Sequence, residues 1–182
     1  MSPQNRVAAF KAINKAIALS DLVSKKEQAY ISALSVRYDG NPESNRVPLD
    51  LAYADAMEDL SKNYPDDHDA ASLFAEALMN TMPWNYWAED GDPKPDTVKV
   101  IDSLETVLEK NPDHPLAIHL YIHAVEASSD PGRAEGPADR LGKLVPGAGH
   151  LVHMPAHIYW RIGRYHDAVS YTHLRAHETG GY

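Results

Sequence analysis

The sequence predicts an all-α fold built from antiparallel helix pairs that stack as a short solenoid. Apolar residues recur at helical spacing in almost every segment, and no segment alternates as a strand does. Prolines punctuate the chain at Pro65, Pro112 and Pro146, and a 34-residue interval separates the last two. The preceding interval is longer, and the 13-residue segment 83–95 accounts for the excess. A period of 34 is typical of helix-turn-helix repeats.

The elements follow in order along the chain. A helix is predicted over residues 5–19, and Ser24 with Glu27 forms a capping-box pattern before the next helix. The following segments are a loop at 39–48, helices at 49–63 and 66–82, a proline-rich insertion at 83–95 and a helix for which we expect Asp96 to be the N-cap. Further boundaries are predicted at Pro112, Pro131 and Pro146.

Composition restricts the function classes. The chain has 182 residues, 43% of them hydrophobic, which is enough for one domain with a core. The net charge of −9 argues against nucleic acid as a partner, because phosphate binding requires clustered lysine and arginine. The absence of cysteine excludes disulfides, thiolate catalysis and thiolate-ligated zinc. Neither a membrane-spanning apolar run nor a secretory signal core is present, so we expect no membrane partner and a cytoplasmic location.

Two histidine pairs repeat with the same period. His119 and His123 are followed by His153 and His157, and the 34-residue shift is the same for both members of the pair. A spacing of four places both members of a pair on one helix face. The four imidazoles are therefore expected to stack across two neighbouring helix pairs, where they combine metal-ligand and acid–base chemistry.

The turn motif GRYHDAV, residues 163–169, resembles the tetratricopeptide-repeat family, with two good repeats over about 113–170. More narrowly, the segments FAEALMNTMPW, HLYIHAVEAS and PGAGHLVHMPAHIYWRIGRY resemble a group of bacterial repeat proteins of unassigned function, over about 27–170. Members of that group are usually longer at both ends. The resemblance implies a right-handed solenoid in which the first helix of each pair lines a concave groove, and it implies no reaction.

Alignment on the prolines extends the histidine surface. Glu76, His123 and His157 are predicted to form one row across three helix pairs, and Ser72, His119 and His153 the row beside it. Glu126, His150, Trp160 and Arg161 are also predicted to face the groove, where Trp160 and Arg161 would hold an anionic ligand.

The chemical interpretation is a metal site of His119, His123, His153 and His157, with Glu76 or Glu126 as a carboxylate ligand or base. Nitrogen and oxygen ligands favour zinc first, then copper, nickel or iron. No motif indicates an organic cofactor. The alternative is a polar groove in which the histidines bind one another, the glutamates and water.

Three functions remain open at this stage. The first is a binding protein whose groove takes a peptide or small-molecule ligand, with or without a divalent metal. The second is a metal-dependent hydrolase that uses a histidine-bound water with Glu76 or Glu126 as the catalytic base. The third is an assembly scaffold without a small-molecule site. In the insertion, Trp84, Tyr86 and Trp87 form either a lid over the groove or anchors that pin the segment to the helices.

A single repeat domain is predicted over residues 1–170, and 171–182 is predicted to be a non-native or disordered tail. The ending YTHLRAHETGGY resembles a translated sequencing adapter, and it places polar residues where a repeat helix needs apolar ones. A genuine polar cap is the alternative. A truncated last repeat would expose an apolar face, so we expect a homo-oligomer formed through it.

Overall fold

The computed structural model describes residues 2–179, with their side chains as far as Thr172. This part of the chain is helical and contains no named strand, which confirms the predicted all-α class. The chain forms two compact units, residues 1–83 and 84–182, and each is described by itself. The prediction of one continuous domain over residues 1–170 concerns how these units join, and it stays a prediction.

The first unit consists of four helices in which each packs on the next along the chain. Their bounds are α1 Pro3–Ala18, α2 Lys25–Ser35, α3 Arg46–Asn63 and α4 His68–Thr81, with a short 3-10 helix at Ser20–Leu22. The largest contact is between α3 and α4. Its apolar centre includes Tyr53, Met57, Leu60, Phe74 and Leu78, all of which are buried.

Side-chain caps fix where these helices begin. The predicted capping box is present: Glu27 N–H donates to Ser24 Oγ at 3.2 Å, and Ser24 N–H donates to Glu27 Oε2 at 2.9 Å. Helix α3 begins ahead of the predicted position, because Asn45 Oδ1 accepts a hydrogen bond from the N–H of Val47 at 3.1 Å. The cap at Asn45 thus lies inside the segment predicted as a loop.

The second unit contains the remaining helices: α5 Pro95–Lys110, α6 Pro115–Val125, α7 Glu135–Leu144, α8 Gly149–His153, α9 Pro155–Arg161 and α10 Tyr165–Thr179, with a 3-10 helix at Pro131–Ala134. Helix α6 packs on α5 and α7, and also contacts α9. The prediction that Asp96 caps α5 is wrong: Lys94 is the N-cap, and Asp96 lies in the first turn, where it pairs with Lys99.

In two places in this unit, a carboxylate accepts hydrogen bonds from both a tyrosine and an arginine. Glu105 Oε1 accepts hydrogen bonds from Tyr121 Oη and an Arg133 amino group, both at 2.5 Å. Asp139 accepts the equivalent hydrogen bonds from Tyr159 Oη at 2.7 Å and Arg164 at 2.9 Å. The two carboxylates are one 34-residue period apart in the sequence. The tyrosines are 38 residues apart and the arginines 31, so the carboxylates alone follow the period.

The insertion is fixed to the second unit by two of its three aromatic residues. Trp87 Nε1 donates to the carbonyl oxygen of Ala124 on α6 at 2.8 Å, and Tyr86 is 8% exposed. Trp84 differs, because it is 73% exposed and adopts a φ of 59°. This left-handed backbone is unusual for a bulky residue. The interpretation as anchors therefore describes Tyr86 and Trp87, whereas Trp84 stands open to solvent.

The segment predicted as the tail begins as a continuation of α10, which extends to Thr179. Tyr171 packs its ring against that of Tyr159 at a centroid distance of 5.5 Å, and it covers Gly142 on α7. Residues 180–182 lie outside the described part. The non-native origin of residues 171–182 stays a prediction.

Candidate metal centre

Three short helices of the second unit carry a cluster of five imidazoles and one carboxylate. His119 and His123 lie one turn apart on α6, and Glu126 follows at its C-terminus. The remaining members are His150 and His153 on α8 and His157 on α9. Pro155 separates the last two helices, because proline has no N–H to continue the hydrogen-bonding of α8. We call these six residues the histidine cluster.

The imidazoles form a continuous row of edge-to-face contacts. In order they are His150, His119, His123, His157 and His153, with successive centroid distances of 5.0, 4.9, 5.5 and 5.1 Å. This row extends from exposed His150 to positions that are partly buried. The predicted concentration of imidazoles on one surface is present in the second unit.

His119 and His150 are in direct contact through ring nitrogens. Their Nε2 atoms are 3.0 Å apart, so one ring donates an N–H to the lone pair of the other. Burial, together with the neighbouring imidazoles of His123, His150 and His157, lowers the pKa of His119 to about 4. His119 is therefore neutral at physiological pH, which is the form that binds metals.

Glu126 joins the two halves of the row. Its Oε1 lies 3.0 Å from His123 Nδ1, and its Oε2 lies 2.7 Å from His157 Nδ1. Burial alone would raise its pKa, but the hydrogen bonds from the two histidines lower the pKa of Glu126 to about 2. An ionised carboxylate only accepts, so both Nδ1 atoms carry a proton, and in the neutral form of each ring the lone pair then lies on Nε2.

Two groups of three residues could each hold a metal ion, because each residue offers a ligand atom within 4.8 Å of those of the other two. The first triad is His119, His123 and His150, and the second is His123, Glu126 and His157. Tetrahedral zinc with bonds of about 2.0–2.1 Å places its ligand atoms about 3.3 Å apart. The 3.0 Å between His119 and His150 needs to open by only a few tenths of an ångström to reach that spacing.

The first triad differs from the predicted ligand set in one member. The repeat register pairs His119 with His153, whereas the structure brings His119 to His150. Pro155 marks the division of the second histidine helix into α8 and α9. His153 instead contacts the ring of His157. His150 is thus the neighbour of His119 that His153 was expected to be. The metal role of His153 stays a prediction.

Ser72 and Glu76 lie on α4 of the first unit. Ser72 has no exposed surface, and its Oγ donates to the carbonyl oxygen of His68 at 2.7 Å. Glu76 accepts a hydrogen bond from Asn80 at 3.1 Å. The rows that join Ser72 and Glu76 to the histidines cross between the two units, so both their groove positions and the proposed base role of Glu76 stay predictions.

Two cavities share a wall formed by Glu126, His157 and Arg161. The larger has a volume of about 660 Å³, and its other lining residues are His153, Ala156, Trp160, Ala168, Val169 and Thr172. The smaller has a volume of about 420 Å³, and its other lining residues are Trp84, Tyr86, Trp87, His123 and Ala127. Trp160 and Arg161 thus line a cavity beside the histidine cluster.

The alternative of a polar groove predicted hydrogen bonds among the histidines and from them to Glu126, both of which are present, but not that Glu126 bridges His123 and His157. The signal was its spacing of three from His123, which places the two side chains on one face of the helix end. Trp84 is a further neighbour, with its ring edge to face against His123 at 5.3 Å. Its left-handed backbone is a feature that clusters at functional sites.

Comparisons with family models, with curated proteins and with solved structures gave no match to the chain. Among the described residues, no helix is both long and apolar enough to cross a membrane.

Proposed function

We propose that the protein is a helical-repeat binding protein whose histidine cluster holds one divalent cation and whose adjoining groove takes a ligand. The observation that carries the proposal is the triad of His119, His123 and His150, whose ligand atoms lie within 4.8 Å of one another. Three imidazole nitrogens favour zinc, followed by copper, nickel and iron.

Glu126 acts in this proposal by orienting ligands and does not bind the ion. A metal-binding histidine commonly donates its second N–H to a carboxylate, which fixes the tautomer and raises the basicity of the ligand nitrogen. Glu126 accepts from His123 Nδ1, so the neutral form of His123 has its lone pair on Nε2, the nitrogen that we propose binds the ion. The neutral state of His119 removes proton competition above a pH of about 4 at that ligand.

A metal-dependent hydrolase is the second candidate. It is supported by the number of protein ligands, because three histidines leave a fourth position for water, whose pKa a bound zinc lowers to about 7. Exposed His150 gives that position access to solvent. Glu126 is poorly suited to be the base, since both of its oxygens already accept hydrogen bonds. An assembly scaffold remains the third candidate, supported by the packing of consecutive helices on one another in the all-α fold.

The test is zinc titration by calorimetry of protein produced without a polyhistidine tag. We expect one ion per chain with a micromolar or tighter Kd, and at least a tenfold loss of affinity in His119→Ala, His123→Ala and His150→Ala. His166→Ala is the matched control, because its side chain is 95% exposed and outside the cluster. Equal zinc affinity in His123→Ala and His166→Ala would overturn the proposal. Turnover of an activated ester by zinc-loaded protein, absent from His123→Ala, would favour the hydrolase.

A further inference from the structure

The larger cavity has one cationic side chain on its wall that is available to a ligand. Arg161 forms no hydrogen bond or ion pair with the residues that the structure describes, and it is exposed at the end of α9. Arg164, three residues further along the chain, differs from Arg161 because it forms ion pairs with Glu135, Asp139 and Asp167. A planar guanidinium without a partner is suited to bind a carboxylate through two parallel hydrogen bonds.

Most of the remaining cavity surface is apolar, although Glu126, His153, His157 and Thr172 also line it. Ala156, Ala168 and Val169 line it together with Trp160, which is 62% exposed and has its ring edge to face with that of Tyr165 at 5.2 Å. An exposed tryptophan over an apolar cavity offers a flat surface for an aromatic or aliphatic group. The volume of about 660 Å³ lies within the range of small-molecule sites, about 300–1,000 Å³.

We propose that this cavity binds a small organic monocarboxylate, with the carboxylate on Arg161 and the apolar body against Trp160. The inference names the ligand class of the groove in the proposed function, and so rests on it. A single guanidinium is sufficient to hold one carboxylate through two parallel hydrogen bonds.

The charges of the shared wall connect ligand binding to the metal. Arg161 and Glu126 carry opposite charges, so the wall is nearly neutral when the imidazoles are neutral. Both Glu126 oxygens accept histidine N–H groups, which compensates part of its charge towards the cavity. A divalent cation at the neighbouring triad makes the wall net positive. Carboxylate affinity is therefore expected to increase on zinc loading.

The experiment uses 3-phenylpropionate and its neutral amide as matched probes, titrated by calorimetry into the full chain with and without zinc. We expect at least a tenfold preference for the acid, increased by zinc. Arg161→Gln is expected to reduce the preference below threefold and to leave zinc affinity unchanged. Trp160→Ala is expected to weaken both probes by about tenfold. Both side chains are exposed, so both variants should fold, which circular dichroism verifies.

Arg140→Gln is the matched control, because Arg140 contacts Pro112 and Asp113 on the surface of the same unit, outside both cavities. Equal affinity for acid and amide, or an acid preference that survives Arg161→Gln, would overturn the inference. Zinc binding without any saturable binding of either probe would also overturn it and would leave the metal proposal intact. An acid preference that depends on Arg161 in protein that binds no zinc would support the ligand class and refute the metal proposal.

Discussion

The bridge formed by Glu126 makes a sharp prediction for the substitution Glu126→Gln. The carboxylate accepts two N–H groups, at 3.0 Å from His123 and 2.7 Å from His157. A glutamine has only one acceptor oxygen, and its amide group donates. One of the two neutral imidazoles must therefore move its proton to Nε2, which in His123 is the nitrogen proposed to bind the metal, and neither ring retains a charged partner.

The size of the effect follows from these contacts. Loss of a carboxylate behind a histidine ligand typically weakens metal affinity by about 10–100-fold, or about 1.4–2.7 kcal/mol. The metal-free protein is also expected to lose about 1–3 kcal/mol of unfolding free energy, because hydrogen bonds to charged groups contribute about 1.5–3 kcal/mol each. Zinc calorimetry measures the first effect, and urea unfolding in the presence of a chelator measures the second.

Glu105→Gln is the matched control for this substitution. Glu105 also accepts two hydrogen bonds in the same unit, from Tyr121 and Arg133, but it lies outside the histidine cluster. We expect Glu105→Gln to lower the stability and to leave the zinc Kd unchanged. If the zinc Kd values of the two variants lay within threefold of each other, Glu126 would not orient a metal ligand.

Three further predictions concern packing, pH and assembly. Gly142→Ala should destabilise the protein by about 1–3 kcal/mol, because the added Cβ would overlap the ring of Tyr171. Gly136→Ala is the control, because a Cβ has room there and should not destabilise the protein. Equal unfolding midpoints for the two variants would show that Tyr171 does not pack against Gly142. Partial burial raises the pKa of Asp139, but its tyrosine and arginine hydrogen bonds lower it below the usual range. The stability that it contributes is complete above about pH 4 and is lost as pH falls through the lower folded-state pKa, so the unfolding free energies of Asp139→Asn and wild type should converge in acid. Light scattering at several concentrations should detect a homo-oligomer, and a monomer at every concentration would contradict it.

The sequence predicted the helices well because their signals are local. Apolar spacing, the Ser24–Glu27 capping box and the prolines each act within one or two turns. The misplaced ends have equally local causes: Asn45 caps α3 ahead of Leu49, and Lys94 rather than Asp96 precedes the first turn of α5.

The candidate site was predicted in part, because it depends on how helices meet. The 34-residue register predicted the histidine surface and the proximity of His123 to His157. The ring centroids of these two residues are 5.5 Å apart in the structure. The register assumed equivalent helices in successive repeats, so it could not foresee that Pro155 divides the second histidine helix and brings His150 to His119. His150 and His153 lie on the same very short helix, Gly149–His153, so the repeat register alone does not determine which of them contacts His119.

X-ray absorption at the zinc edge tests the central claim most directly. Tag-free protein loaded with one equivalent of zinc should show three imidazole nitrogens at about 2.0–2.1 Å and one oxygen in the first shell. The imidazole signal should decrease in His123→Ala and persist in His166→Ala. A first shell of oxygen atoms alone, with the same spectrum in both variants, would contradict a metal centre in the histidine cluster.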